Sequence, residues 1–374
     1  MNTPDLVNRV RGRLANSGTA ITPAEVARAV REESGIAGHD DILVATDRMT
    51  QEFVGAGPLE PLLRAPGTTD VLVTAPDQVW CDNDKGLRRT NVTFPDEDAV
   101  RRLAQRLALA CGRRLDDAQP FVDAWLPGRV RLHAVLPPIA AAGTCISLRV
   151  LRPAGHDLDS LRALNTFDDT VHKTLKAIVE ARLAVLITGG TGAGKTSLLN
   201  ALLAEVNPHE RIVCVEDAAE LAPDHPQFVR LIARPPNVEG AGEVTLADLV
   251  RQGLRMRPDR LVVGEVRGPE VCDLLTALNT GHDGGAGTVH ANSPAEVPAR
   301  MEALAALGGL PRAALHSQLS AAFHVVLHMR RARDGTRRLT DVGVLDRAND
   351  LVTVVHDRTR LKVLLAERGV AAPW

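Results

Sequence analysis

Three features of the sequence predict an α/β fold with a smaller α+β domain ahead of it. From Asp169 onward, runs of β-forming residues alternate with helical patterns, which is what parallel strands covered by helices on both faces require. Between Gly55 and Arg152 the runs are shorter and hold one helical stretch. Residues 183–200 join an apolar strand, a glycine loop and a helix start without a gap.

The elements follow in order. Leu6, Val7, Val10 and Leu14 fall at helical spacing, and Thr22 with Glu25 forms a capping box with Pro23 at the first helical position, so residues 4–50 are expected to be helical. Such a segment serves either as an appendage packed on the next domain or as a partner-docking helix pair. Asp70–Thr74, Gln78–Cys81, Val130–Leu136 and Cys145–Leu151 read as strands and Asp96–Cys111 as a helix. Arg152–Asp169, with Pro153 and Gly155, reads as a linker. Helical patterns then cover Asp169–Arg182, Thr196–Val206, Thr245–Met256, Glu270–Asn279 and Ala295–Leu307, and the last ~50 residues return to shorter strands around a charged turn at Arg333–Gly335.

Composition narrows the function. The chain of 374 residues, 45% hydrophobic, suffices for two packed cores. Its 44 Lys plus Arg against 46 Asp plus Glu leave no whole-chain field toward nucleic acid or anionic lipid. Lys occurs only at 85, 173, 176, 195 and 362, and Tyr is absent, a bias typical of a GC-rich genome. One Arg therefore says little here, and one Lys says more. Cys81, Cys111, Cys145, Cys214 and Cys272 lack C-x-x-C spacing and read as buried hydrophobes in a reducing compartment. No apolar run approaches the ~18–20 residues of a membrane span, and residues 1–15 lack the apolar stretch of a signal peptide. A cytoplasmic location is expected.

Gly189–Thr196 fits G-x-x-x-x-G-K-S/T between the apolar run Leu183–Thr188 and the helical run Ser197–Val206. Glycines let backbone N–H groups turn inward around phosphates without Cβ clashes, and the helix N-terminus adds its positive dipole end. Gly189, Gly190, Thr191, Gly192, Ala193, Gly194, Lys195, Thr196 and Ser197 are thus the candidate nucleotide cradle. Lys195 would meet the β- and γ-phosphates of ATP, and the Thr196 hydroxyl would meet Mg2+.

Hydrolysis also needs carboxylates. Arg211–Glu216 ends in Glu216 and Asp217, with Glu220 close behind, and Arg260–Gly264 ends in Glu265. In a parallel sheet these strand ends lie beside the loop. Glu216, Asp217, Glu220 and Glu265 are the candidates for holding magnesium or activating the attacking water. Plainer roles also fit, with Glu216 and Asp217 ending a strand and Glu220 starting a helix. His282 and His290 flank a glycine-rich strand approach and could sense a phosphate or serve only as core or surface residues.

Taken in order, these segments resemble the secretion or traffic ATPases of type II and type IV systems, nearest their Tad (tight-adherence) pilus, CpaF-like branch. Gly189–Thr196 matches Walker A, Val215–Leu221 the Asp box, Leu254–Gly268 Walker B and Thr280–Asn292 the His box. Weaker likeness extends over roughly residues 50–345, and no C-x-x-C insert of the type II branch is present.

With the patterns above, a short N-terminal helical region (1–52) and a linker (153–168) flank an α+β domain (53–152), and the resemblance implies that this N-terminal domain is followed by a RecA-like P-loop ATPase domain (169–374). It also implies a homo-oligomeric ring of six subunits that binds nucleotide between the two domains and acts on inner-membrane platform proteins of a pilus or secretion system. Such a chain would associate with the inner face of the membrane only through partners. By position Glu220 matches the water-activating glutamate, Glu265 the Walker B glutamate near magnesium, and His282 and His290 the two His-box histidines. Arg129 and Arg149 match arginines that the N-terminal domain supplies to the nucleotide. Asp123–Pro127 has Trp125 where relatives often carry an arginine, and Gly285–Gly287 replaces a bulkier stretch. Two other classes stay open: a DNA-translocating motor, against which the balanced charge and scarce aromatics argue, and a low-turnover nucleotide switch, against which the acids argue. No N-K-x-D motif for guanine is present.

Overall fold

The computed structural model describes residues 55–374 apart from 84, 127, 128, 152–154, 238 and 333, together with residues 9, 10, 12, 13, 23–33, 46 and 49. The chain divides into two units, Met1–Arg152 and Pro153–Trp374.

In the first unit α1 (Pro23–Glu33) buries Val26, Ala29 and Val30 on one stripe. Leu6, Val7, Leu14 and Thr22, on which the expected stripe and capping box partly rest, lie outside the described residues. A short α2 (Glu60–Arg64) precedes β1 (Asp70–Ala75), β2 (Gln78–Asp82), β3 (Arg88–Arg89), α3 (Glu97–Ala110), β4 (Phe121–Leu126), β5 (Val130–Val135) and β6 (Cys145–Val150). The strands form one antiparallel sheet in the order β3-β2-β1-β6-β5-β4. Asp96 caps α3, its carboxylate accepting the Ala99 N–H at 2.7 Å. The helix then lays Val100, Leu103, Ala104, Leu107 and Ala108 on the sheet, the i, i+3, i+4 spacing of a helix with one buried face.

The second unit begins where a linker was expected, and that expectation needs correcting. α4 (Leu158–Ala163) starts at an Asp157 cap and puts Leu158 and Leu161 into the core, and Phe167 joins them. From Leu158 the segment is built into the unit; its spacing of two apolar residues is too sparse to signal a helix from the sequence.

α5 (Asp169–Glu180), β7 (Val185–Gly189), α6 (Lys195–Ala204), β8 (Ile212–Glu216), β9 (Phe228–Ile232), α7 (Leu246–Gly253), β10 (Arg260–Val263), α8 (Glu270–Leu278) and β11 (Ala286–Val289) follow. After them come α9 (Val297–Leu307), α10 (Arg312–Ala322), β12 (Val325–Arg331), β13 (Arg337–Ala348), β14 (Leu351–Val355) and α11 (Arg358–Glu367). The eight strands run in the order β14-β13-β12-β7-β11-β10-β8-β9. The six from β12 to β9 are parallel, and β13 and β14 add an antiparallel edge.

Successive strand residues feed opposite cores. Val185, Ile187, Ile212 and Cys214 pack with α4, α5, α6 and α11, whereas Leu186, Val213 and Val215 pack with α7, α8, α9 and α10. The last ~50 residues are richer than the expected run of short strands, since they hold α11 and a β13 of 12 residues. No helix among the described residues is long and apolar enough to cross a membrane.

Candidate nucleotide site

The parallel register aligns the carboxyl ends of the central strands. Thr188 pairs with Val289, Val263 with Gly287, and Val215 with Val263. The residues after β7, β8, β10 and β11 therefore emerge on one edge.

At the end of β7, Gly189 (φ 144°), Gly192 (φ 69°) and Gly194 (φ 97°) all occupy left-handed backbone, which turns peptide groups toward one hollow. Gly189 is also dictated by its neighbour, because a Cβ there would lie 2.2 Å from the Met329 carbonyl oxygen on β12. Gly194 stands at the head of α6, and Lys195 is its first residue. Gly190 and Thr191 are exposed on the loop, Ala193 is buried beneath it, and Thr196 and Ser197 are half-buried in the first helical turn.

The Lys195 ammonium donates to the carbonyls of Gly189 and Gly190, both at 3.0 Å, and lies 3.3 Å from His290 Nε2. Burial lowers its pKa, while Glu265 and Glu220 pull the other way. His290 Nε2 also lies 3.1 Å from Glu265 Oε1. Burial and then Lys195 lower the His290 pKa and favour the neutral imidazole. On the other side of the lysine, the Thr196 hydroxyl donates to Glu220 Oε2 at 3.2 Å. The structure thus brings together Lys195, Thr196, Glu220, Glu265 and His290.

Other expected residues are placed elsewhere. Glu216 is buried and turned inward, its Oε1 accepting the N–H groups of Glu220 (3.2 Å) and Leu221 (2.9 Å) while Arg230 Nε lies 3.3 Å from Oε2. Burial pushes its pKa up to about 7. This carboxylate holds the turn that presents Glu220. Asp217 forms an ion pair with Arg267 and so joins the turns after β8 and β10. Burial raises its pKa, with Arg267 opposing.

His282 precedes β11 by four residues, at the edge of the sheet opposite the glycine loop, where its Nδ1 donates to the Ala277 carbonyl at 3.1 Å. Within this chain it is not brought to the loop. Arg129 and Arg149 belong to the first unit. Arg149 on β6 donates to Asp70 at 2.9 Å, and the Arg129 carbonyl accepts the Leu151 N–H at 2.9 Å.

Three supporting residues escaped the sequence reading. Glu270 is buried and accepts the N–H groups of Arg267 (2.7 Å) and Gly268 (2.8 Å), shaping the turn after Glu265. Asn200 accepts the Ala222 N–H at 2.9 Å and ties α6 to the turn carrying Glu220. His328 Nδ1 lies 2.8 Å from the Thr188 hydroxyl just before the loop. For Glu270 a signal existed, since an acid opening a helix after Gly268–Pro269 is a helix-start pattern.

The arrangement suits a phosphate ester with a divalent cation. The glycine hollow leaves room that side chains would fill, Lys195 is a buried cation whose partners are carbonyls and an imidazole, and Thr196 offers its hydroxyl beside Glu220. Magnesium held mainly by phosphate oxygens and water needs few protein ligands, in keeping with the lack of any cluster of three acid, His or Cys ligands among the described residues.

Residues 52–359 match the family model for type II/IV secretion system proteins. The chain belongs to that family. Among relatives of this secretion family, it is 65% identical over 340 residues to a Mycobacterium tuberculosis protein named provisionally for conjugal transfer, a match covering 89% of this chain and 95% of the relative. It is 31% identical over 326 residues to the type IV secretion system protein PtlH of Bordetella pertussis, covering 79% of this chain and 95% of that protein. The crystal structure of the pilus retraction motor PilT with bound ADP is 20% identical, with a TM-score of 0.54 over 83% of this chain and 85% of that one, and so shares the fold. The second unit has the RecA-like P-loop architecture of the secretion family's structures.

Proposed function

We propose that this secretion-family protein is an ATP-hydrolysing motor. The observation that carries the reading is the convergence of Lys195, Thr196, Glu220, Glu265 and His290 on the edge where the glycine loop lies. On ATP binding, Lys195 leaves the Gly189 and Gly190 carbonyls for the β- and γ-phosphates. Bound Mg2+, next to Thr196 and Glu265, would offset charge on those phosphates. Glu220 accepts the proton of the attacking water, His290 meets the γ-phosphate side, and Arg129 and Arg149 add cationic contacts. The motor works as a ring of six subunits on inner-membrane platform proteins, in assembly of a Tad-type or type IV pilus or in type II/IV secretion. The family match supports a partner-mediated role at the membrane.

Phosphate release from the assembled protein tests this reading. Lys195→Ala, Glu265→Gln and Glu220→Gln should each lower turnover by roughly two to three orders of magnitude. A wild-type ring without turnover would sink it. The name of the 65%-identical relative favours a second reading, conjugal DNA transfer. Many-fold stimulation of turnover by single-stranded DNA, lost steeply with salt, would select it.

A further inference from the structure

The β12–β13 hairpin closes with arginine opposite arginine. Arg331 faces Arg337 and Arg330 faces Arg338 in the antiparallel register. Like charges directly opposite on one sheet face repel, and among the described residues none of the four forms an ion pair with a carboxylate. Asp334 in the turn is engaged by the N–H and hydroxyl of Thr336.

Strand alternation sorts the two pairs. Val325, Leu327 and Met329 pack on the face that carries α6, so Arg331 and its partner Arg337 share that face. Both reach the glycine loop. Arg337 Nε donates to the Gly192 carbonyl at 3.0 Å, and its Cδ lies 3.1 Å from where a Gly194 Cβ would stand. Arg331 Nη1 lies 3.6 Å from the corresponding point on Gly192. Arg331 itself is exposed.

The strand order supplies direction. On one flank of β7 lie β11 and β10, with His290 and Glu265 beside the Lys195 ammonium, and on the other lies β12 with the arginine pair. A nucleotide whose terminal phosphate meets Lys195 and His290 therefore runs back toward β12.

We propose that Arg331 and Arg337 form a cationic wall for the α-phosphate and ribose end of the bound nucleotide, with Arg337 also bracing the loop through Gly192. This rests on the nucleotide-binding reading above. The bound anion relieves the repulsion that the register builds in, and a guanidinium fork suits a phosphate with two free oxygens.

Direct titration of the assembled protein with ADP and with ATP provides the test. Arg331→Gln should weaken both by a similar factor, roughly tenfold, and Arg331→Glu by roughly a hundredfold, with the KM for ATP rising in step and kcat within about twofold. Arg337→Lys, which loses the fork and the Nε donation to Gly192, should weaken both as well, and Arg330→Gln and Arg338→Gln, on the opposite face, should bind like wild type. Lys195→Ala should instead lose more ATP than ADP affinity. Wild-type ADP affinity in folded Arg331→Gln and Arg331→Glu would overturn the wall while leaving the ATPase reading intact. So would a loss confined to ATP, which would put the arginine on the γ-phosphate. A wild-type protein that binds neither nucleotide would sink both.

Discussion

In the first unit's sheet, buried and exposed residues alternate, as on β5, where Val130, Leu132 and Ala134 are buried and His133 is exposed. In the second unit β7, β8, β10 and β11 are buried at every position. Antiparallel strands linked by turns deliver their loops to both edges of the sheet. Parallel strands whose connections return over the outer faces deliver every carboxyl end to one edge. Single side chains after β7, β8, β10 and β11 can therefore meet there, as Lys195, Glu220, Glu265 and His290 do. The same closeness makes the parallel sheet intolerant, since β12 leaves no room for one methyl group at Gly189.

The largest effect that would sharpen this contrast is a glycine swap in each unit. Gly189→Ala meets both a left-handed φ and the Met329 carbonyl, and should cost about 3 kcal/mol or more while abolishing nucleotide binding. Gly86→Ala, at φ 90° with nothing within 4 Å, meets only the backbone strain and should cost about 1 kcal/mol. Equal losses in thermal unfolding would show that backbone strain alone, and not the packing of β12, sets the cost.

Glu216 gives a pH signature peculiar to the second unit. Its carboxyl is raised from 4.5 to about 7 by burial, so the folded state holds a proton that the unfolded chain has released. Its contribution is fully present below pH 4.5 and is lost as pH rises through about 7. Glu216→Gln should thus match wild type near pH 4.5 and exceed it near pH 8, by at most about 3 kcal/mol. Chemical denaturation across that range reads the gap, and a constant difference at all pH values would remove burial as the cause.

The smallest expected effect falls in the first unit. Asp96→Ala removes the carboxylate that accepts the Ala99 N–H and should cost about 1 kcal/mol, with nucleotide binding unchanged. A loss of ADP affinity in that variant would break the separation drawn between the units.

Legibility followed burial. Leu183–Thr188, Arg211–Glu216 and Arg260–Gly264 were readable as strands because both faces are covered, which leaves unbroken apolar runs. β9 was missed because Arg230 interrupts it, its charge accommodated by the Glu216 carboxylate and the Leu221 carbonyl, contacts invisible along the chain. α11 was missed because only Leu361 and Leu365 are buried and the rest of its surface is polar. In the site, the glycine loop, Glu220 and Glu265 stood out from strand-end positions, whereas spacing did not separate His290 from His282. The inward turn of Glu216 and the pairing of Asp217 with Arg267 were not legible, since the partners Leu221, Arg230 and Arg267 become neighbours only when the turns after β8 and β10 fold together.

By itself, the sequence determined the class of fold, the loop that can cradle phosphate and the acids available beside it, because these depend on local periodicity, backbone freedom and which residue ends each strand. Tertiary structure decided which acids face the loop, that His282 lies at the far edge of the sheet, and that Arg331 and Arg337 stand beside Gly192. Those outcomes depend on strand order and register, and strand pairing over long separations is fixed only when the whole sheet buries its two faces at once.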